Sequence, residues 1–239
     1  MESSTLIDIA AMRFDFPVTD DEISVMAAEI SAISNDYWYW CTFRESYLTC
    51  LYGNEDVNDK TSMTWLPHSK TCTKIIELCE QFVFPMTTVR PRIIVIRTIP
   101  GMKMTLHTDC YENQLNTLEP KLRLVLQGRE KNMLYFVNEF GERVYIPNTW
   151  RGYVMSGAAL HGMDNVETEK FTLCFGDPWI GDNLDNVVFE KYISEQHELY
   201  KSSKITISSL GDVNHKSGVK DPTTAKMISW ADYNASKKD

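Results

Sequence analysis

The chain has 239 residues, 43% of them hydrophobic and 24% charged, the composition of an ordinary globular domain. Its formal charge of −9 argues against nucleic acid as a partner, because binding phosphates favours net positive charge. No run approaches the roughly 20 apolar residues of a membrane span, and the start, MESSTLIDIAAMRFDF, lacks the basic-then-apolar order of a secretory signal.

Residues Ser4–Pro17 read as extended. Thr19 or Asp20 then offers an N-cap, and Ile23, Met26, Ala27, Ile30 and Ile33 recur at helical spacing, which predicts an amphipathic helix ending before Asn35-Asp36. The aromatic run Tyr37–Trp40 and the stretch Thr42–Tyr52 suit strands or a packed loop, and Asn54–Ser62 suits a surface turn. Ser69 or Thr71 can cap a second helix carrying Ile75, Leu78, Cys79 and Phe82 on one face, with Pro85 just past its end.

From Arg92 the period changes. Arg92–Thr98, Lys103–His107, Lys121–Gln127, Met133–Asn138, Glu142–Ile146, Gly152–Ser156, Leu160–Met163 and Lys170–Phe175 are eight short strand candidates separated by turn signals. Eight such strands fit a double-stranded β-helix, the jelly roll of cupin-like proteins, with the N-terminal helices packed on the sheet. Residues 1–180 would form this domain. Residues 181–239 would form a C-terminal helical extension, with helices at Asn186–Tyr200 and Thr223–Tyr233 joined by the Ser/Lys-rich Lys201–Lys220.

Parity within the strands says more. In KLRLVLQ, Leu122, Leu124 and Leu126 share one face, while Lys121, Arg123, Val125 and Gln127 share the other. In KFTLCF, Phe171, Leu173 and Phe175 oppose Lys170, Thr172 and Cys174. A strand wet on one side gives the same alternation. If the polar faces line a barrel mouth instead, His107, Asp109, Arg123 and Lys170 converge, and the apolar faces pack under the helices.

The stretch KMTLHTD carries the chemistry. As a strand it sets Thr105, His107 and Asp109 on one face, so an imidazole and a carboxylate can hold one ion from the same side. His161, 52 residues beyond Asp109, is a second imidazole in a strand-like segment. Two His and one carboxylate, with coordination positions left open, is the ligand set of non-haem Fe(II) oxygenases. Three protein ligands leave three positions on the ion, enough for a bidentate ligand and O2. The scattered cysteines (Cys41, Cys50, Cys72, Cys79, Cys110 and Cys174) show no CxxC pair, so free thiols in a reducing cytoplasmic interior are expected. Such an interior also keeps iron ferrous. The other histidines (His68, His197 and His215) read as surface groups, and Arg97 as either a substrate contact or a structural ion pair. Tyr135, Tyr145 and Tyr153 read as core packing in preference to pocket walls, and Trp150, Arg151 and Trp179 are candidates for a substrate entrance.

These residues carry a resemblance. IPGMKMTLHTD and LHGMDNVETEKFTLCFGDPW resemble the proximal and distal metal segments of 2-oxoglutarate-dependent oxygenases, specifically the aspartyl/asparaginyl β-hydroxylase group, over roughly Val89–Trp179. The resemblance implies His107, Asp109 and His161 as Fe(II) ligands. It also implies Lys170 as the cation for the far carboxylate of 2-oxoglutarate, and Arg123 as a second contact from the other side. It further implies a dioxygenase that hydroxylates an amino-acid residue in a peptide or protein, or a free amino acid, consuming O2 and sustained by ascorbate. Three departures stand out. Lys170 replaces the usual arginine, so a point charge replaces a bidentate fork. The segment from Asp109 to Arg123 is long, and Ile96 sits where a hydroxyl partner for the far carboxylate is expected, leaving Thr172 or another residue to serve. Outside this class, the chain could be a non-catalytic cupin-like metal-binding module, or an Fe(II) or Zn(II) enzyme that needs no 2-oxo acid. Two cations facing one small dicarboxylate would distinguish the first reading from both.

Overall fold

The computed structural model describes residues 11–41, 46–54, 62–87, 90–107, 120–129, 133–137, 142–156, 161–176 and 227–229. After the short strand β1 (Ala11–Arg13), helix α1 (Asp20–Ser31) begins where its chemistry demands. The Thr19 hydroxyl accepts from the Glu22 amide while the Glu22 carboxylate accepts from the Thr19 amide, a reciprocal capping box worth about 1 kcal/mol. The Thr19 amide and hydroxyl, both donating to the Glu22 carboxylate, hold it below its ordinary pKa. The expected apolar stripe is the buried one: Ile23, Met26, Ala27 and Ile30.

Helix α2 (Thr73–Leu78) is shorter than expected and starts differently. Its N-cap is Cys72, with no side-chain cap, because the Ser69 hydroxyl donates to the Leu66 carbonyl inside a preceding 3-10 turn. A wide turn at Cys79–Val83 and a 3-10 turn at Phe84–Met86 carry the chain on, with Pro85 inside the latter.

Between and after the helices run β2 (Tyr39–Cys41), β3 (Ser46–Gly53), β4 (Thr64–Trp65), β5 (Ile93–Thr98), β6 (Met104–His107), β7 (Pro120–Gln127) and β8 (Leu134–Val137). The remainder are β9 (Arg143–Tyr145), β10 (Gly152–Ser156), β11 (His161–Met163), β12 (Lys170–Phe175) and β13 (Met227–Ser229). The larger sheet has the order β1-β10-β7-β12-β5-β3-β2-β13, with β4 on β3, and the smaller has β6-β11-β8-β9. From β5 to β12 the chain crosses between sheets, placing β5, β7, β10 and β12 in one and β6, β8, β9 and β11 in the other, with antiparallel pairing throughout. This is the double-stranded β-helix.

Strand parity decides which face goes where. Leu122, Leu124, Leu126, Phe171, Leu173 and Phe175 form one apolar cluster with Ile23, Met26, Ile30, Ile75 and Leu78, so the helices lie on the outer face of the larger sheet. Each fully buried aliphatic or aromatic side chain there contributes about 1.5–3 kcal/mol. Strand β12 is buried along its whole length. The alternative of a water-exposed polar face is thereby removed, because Lys170, Thr172 and Cys174 face the space between the sheets.

The C-terminal expectations fare differently. The 180/181 boundary and the helix at 186–200 lie outside the described residues. Met227–Ser229, expected within a last short helix, is instead strand β13, paired antiparallel with β2. The open edge of β2 pairs the backbone groups of this segment, whereas a helix as short as Thr223–Tyr233 is marginal without packing. Among the described residues no helix is long and apolar enough to cross a membrane.

Candidate metal and anion site

The two histidines read from sequence meet at one rung of the smaller sheet. His161 of β11 is the antiparallel partner of His107 of β6. Directly opposed positions in such a pair share a face and keep Cβ atoms about 4.5–5.5 Å apart, within the span over which two imidazoles share an ion at about 2 Å from each nitrogen. A bulge follows at once, between His161 and Met163. Such an irregularity re-aims side chains and recurs beside active sites. His161 is 2% exposed, its ring centroid 6.0 Å from that of Phe136 on the neighbouring strand β8. Of His107 the backbone position is described, and Asp109 lies outside the described residues. Among the described residues no three His, Cys, Asp or Glu side chains gather at one point.

Across from this rung, the larger sheet supplies the cations. Arg123 and Lys170 are 5% and 7% exposed and line one cavity together with His161. Their separation follows from register. Arg123 is opposite Cys174 on β12, and Lys170 lies four residues back along that strand, about 13 Å at the usual rise. A buried guanidinium is expensive unless matched by negative charge. Arg123 donates to the Leu122 carbonyl at 3.3 Å and has no carboxylate partner among the described residues. That chemistry suits an anionic ligand.

Hydroxyls surround the Lys170 end, and sequence reading missed most of them. Thr98 is the register partner of Lys170, and its hydroxyl lies 3.4 Å from that of Ser46 on β3. Both line the cavity, as do Ile96 and Thr172, which pair with each other. Thr98 was available from the parity of β5. Ser46 was not, because nothing local announces that β3 pairs with β5. Tyr153, expected in the core, also lines the cavity, directly opposite Arg123. Burial pushes its phenol well above the ordinary tyrosine range against the opposing effect of Arg123, so it stays a neutral donor at physiological pH. Its hydroxyl makes no hydrogen bond among the described residues.

The cavity measures about 50 Å³, room for water but not for a dicarboxylate. Its walls include Met104, Met155 and Met163, and the Lys170 ammonium lies 3.8 Å from the Met133 sulfur. Thioethers repack readily, so these are the walls that yield when a ligand enters.

Other candidates take structural roles. Arg97 donates to Glu169 at 2.7 Å and to Asn35, its guanidinium over the Trp38 ring. Tyr135 and Tyr145 pack on each other outside the cavity, the Tyr145 hydroxyl donating to Asp164 at 2.7 Å. Arg151 pairs with Asp20, and Trp150 lines a second, neighbouring cavity. His68 is half-buried, not on the open surface, and its Nε2 lies 2.8 Å from the Cys50 carbonyl; burial lowers its pKa. Cys50, Cys72, Cys79 and Cys174 are free thiols. His197, His215, Cys110 and Trp179 lie outside the described residues.

No protein-family model matches this chain, and no curated protein matches it. Solved structures do resemble it. A 2OG-Fe(II) oxygenase family oxidoreductase from Burkholderia pseudomallei is 16% identical, covering 77% of this chain and 92% of its own, with a TM-score of 0.47. A prolyl hydroxylase from Trichoplax adhaerens, in complex with a hypoxia inducible factor peptide fragment, is 11% identical over 74% of this chain and 87% of its own, at 0.46. A prolyl-4-hydroxylase from Pseudomonas putida is 14% identical over 73% and 96%, at 0.44.

Proposed function

We propose that the chain is an Fe(II)- and 2-oxoglutarate-dependent dioxygenase that hydroxylates an amino-acid residue in a peptide or protein, or a free amino acid. The observation that carries this reading is the convergence of His161, Arg123 and Lys170 from three strands. His161, register partner of His107, shares one cavity with two buried cations, and one of these, Arg123, has no carboxylate partner among the described residues. His107, Asp109 and His161 would hold the iron. When bound, it supplies the O2 chemistry in which 2-oxoglutarate is decarboxylated to succinate and CO2 and a substrate C–H becomes C–OH.

The chain's own residues do the rest. Lys170, flanked by Thr98 and Ser46, offers the far carboxylate a charge and hydroxyl donors in a site shielded from water, where such contacts are strongest. Arg123 and the neutral Tyr153 meet the ligand from the other side. Phe136 and the methionines close the walls around His161 and keep the site dry. The substrate class rests on the resemblance to the aspartyl/asparaginyl β-hydroxylase group and belongs to this proposal.

A non-catalytic cupin-like module would have no use for two buried cations, Arg123 and Lys170, in one cavity, which is why that reading ranks second. The test is release of succinate and labelled CO2 from 2-oxoglutarate by purified protein with Fe(II) and ascorbate, first alone and then with amino acids and a peptide panel. Uncoupled turnover at a basal rate that a substrate accelerates is the expected result. Metal-loaded protein that releases no succinate under any condition would overturn the reading.

A further inference from the structure

Behind Lys170 the cavity that holds His161 has a neighbour. A second cavity abuts it, sharing Leu134, Tyr153 and Lys170 as a common partition. Met133, whose sulfur touches the Lys170 ammonium, belongs to the second cavity alone. The partition is therefore a lysine, a leucine and a phenol, with a repackable thioether against the lysine on the far side.

The outer rim of the second cavity comes from two turns far apart in sequence. The β7–β8 side contributes Arg129, and the β9–β10 side contributes Asn148 and Trp150. Arg129 and Asn148 are exposed. None of the three side chains makes a hydrogen bond or ion pair among the described residues. A guanidinium, an amide and an indole thus line the outer part of a cavity whose inner wall includes a buried ammonium. Cationic lining of a low-dielectric passage concentrates anions and speeds their arrival.

We propose that this second cavity is an anion vestibule, through which a small dicarboxylate reaches Lys170 and leaves it on the side opposite the histidines. The proposal rests on Lys170 being a carboxylate site, as in the functional reading above. It assigns Arg129, Asn148 and Trp150 to exchange of the small acid. Exchange on this side leaves the histidine side for the larger substrate, so cosubstrate and coproduct need not cross it.

The test uses the metal-free full chain and 13C-labelled glutarate, whose NMR line shape reports association and departure rates from the ligand side. Two rim variants are compared with wild type: Arg129→Glu, which reverses the charge, and Asn148→Trp, which obstructs the opening. Both replace exposed side chains. A passage predicts a kinetic signature: both rates fall together, by about fivefold or more, while equilibrium affinity changes less than twofold. A structural effect would change affinity instead. Unchanged rates in both variants, or a change in affinity without matched slowing, overturns the vestibule. If glutarate binding is lost in Lys170→Ala yet indifferent to both rim variants, the carboxylate reading stands and the vestibule falls. If wild-type protein binds no glutarate at all, both fall.

Discussion

Gly128 gives the sharpest test of how Lys170 is placed. It follows β7 with φ +75°, a left-handed conformation, and a Cβ built there would lie 2.9 Å from the Glu169 carbonyl oxygen and from Lys170 Cα and Cβ. These are atoms of or next to the backbone and cannot swing aside. Nearby, the Gln127 side chain donates to the same Glu169 carbonyl, and the β7–β12 register shifts between Phe171 and Thr172. Gly128→Ala therefore faces two costs, about 1–2 kcal/mol for the left-handed backbone and about 1–3 kcal/mol for overpacking. The reduced entropy of the unfolded chain returns about 0.4–1 kcal/mol, for a net loss of about 1–4.6 kcal/mol, centred on about 3. Gly101→Ala is the control. Its φ is +83° but no heavy atom lies within 4 Å of the added Cβ, so it should lose only about 1 kcal/mol. Urea unfolding of both variants measures the difference, and glutarate titration tells whether displacing Lys170 weakens anion binding. Equal stability of the two alanine variants, or full glutarate affinity in Gly128→Ala, would refute the claim that this close approach sets the lysine.

The other predictions concern charge. Arg123→Met removes a buried guanidinium that has no carboxylate partner among the described residues, so the ligand-free protein should unfold at equal or higher urea, while stabilisation by added 2-oxoglutarate should drop severalfold. Thermal scans with and without the acid check this, and a large loss of ligand-free stability would show that the cation is structurally paired. His68 predicts a pH dependence. Burial holds its folded pKa below the ordinary value, so the unfolded chain binds the proton more tightly. Its contribution is fully present above about pH 6.5 and is lost as pH falls through that range. Urea midpoints from pH 7.5 to 5.5 should fall less steeply in His68→Gln than in wild type, and parallel slopes would contradict the assignment.

What could be read in advance and what could not divide along a physical line. The period of two in KLRLVLQ and KFTLCF put six apolar side chains on one face and Arg123 and Lys170 on the other, because a strand's alternation is local; that the second face is buried too came only from the packing of the two sheets. The capping box at Thr19 is equally local. Long-range pairing is not. Ser46 enters the cavity only because β3 joins β5, and β13 forms only because β2 offers an edge. Gly128 read as a turn signal, while its close approach to Lys170 depends on a neighbouring strand. The second cavity joins Arg129 to Asn148 and Trp150 across a β-hairpin, which no single stretch reveals.

The central claim is that His107, Asp109 and His161 grip one ferrous ion beside a 2-oxo acid. Anaerobic addition of 2-oxoglutarate to the Fe(II)-loaded protein measures it most directly, through the visible charge-transfer absorption of a chelated 2-oxo acid. That band should appear in wild type and vanish in His107→Ala and His161→Ala. Lys170→Ala should keep its iron and need far more 2-oxoglutarate to develop it. A wild-type protein that binds iron and shows no band, or a band that survives loss of either histidine, would contradict the account.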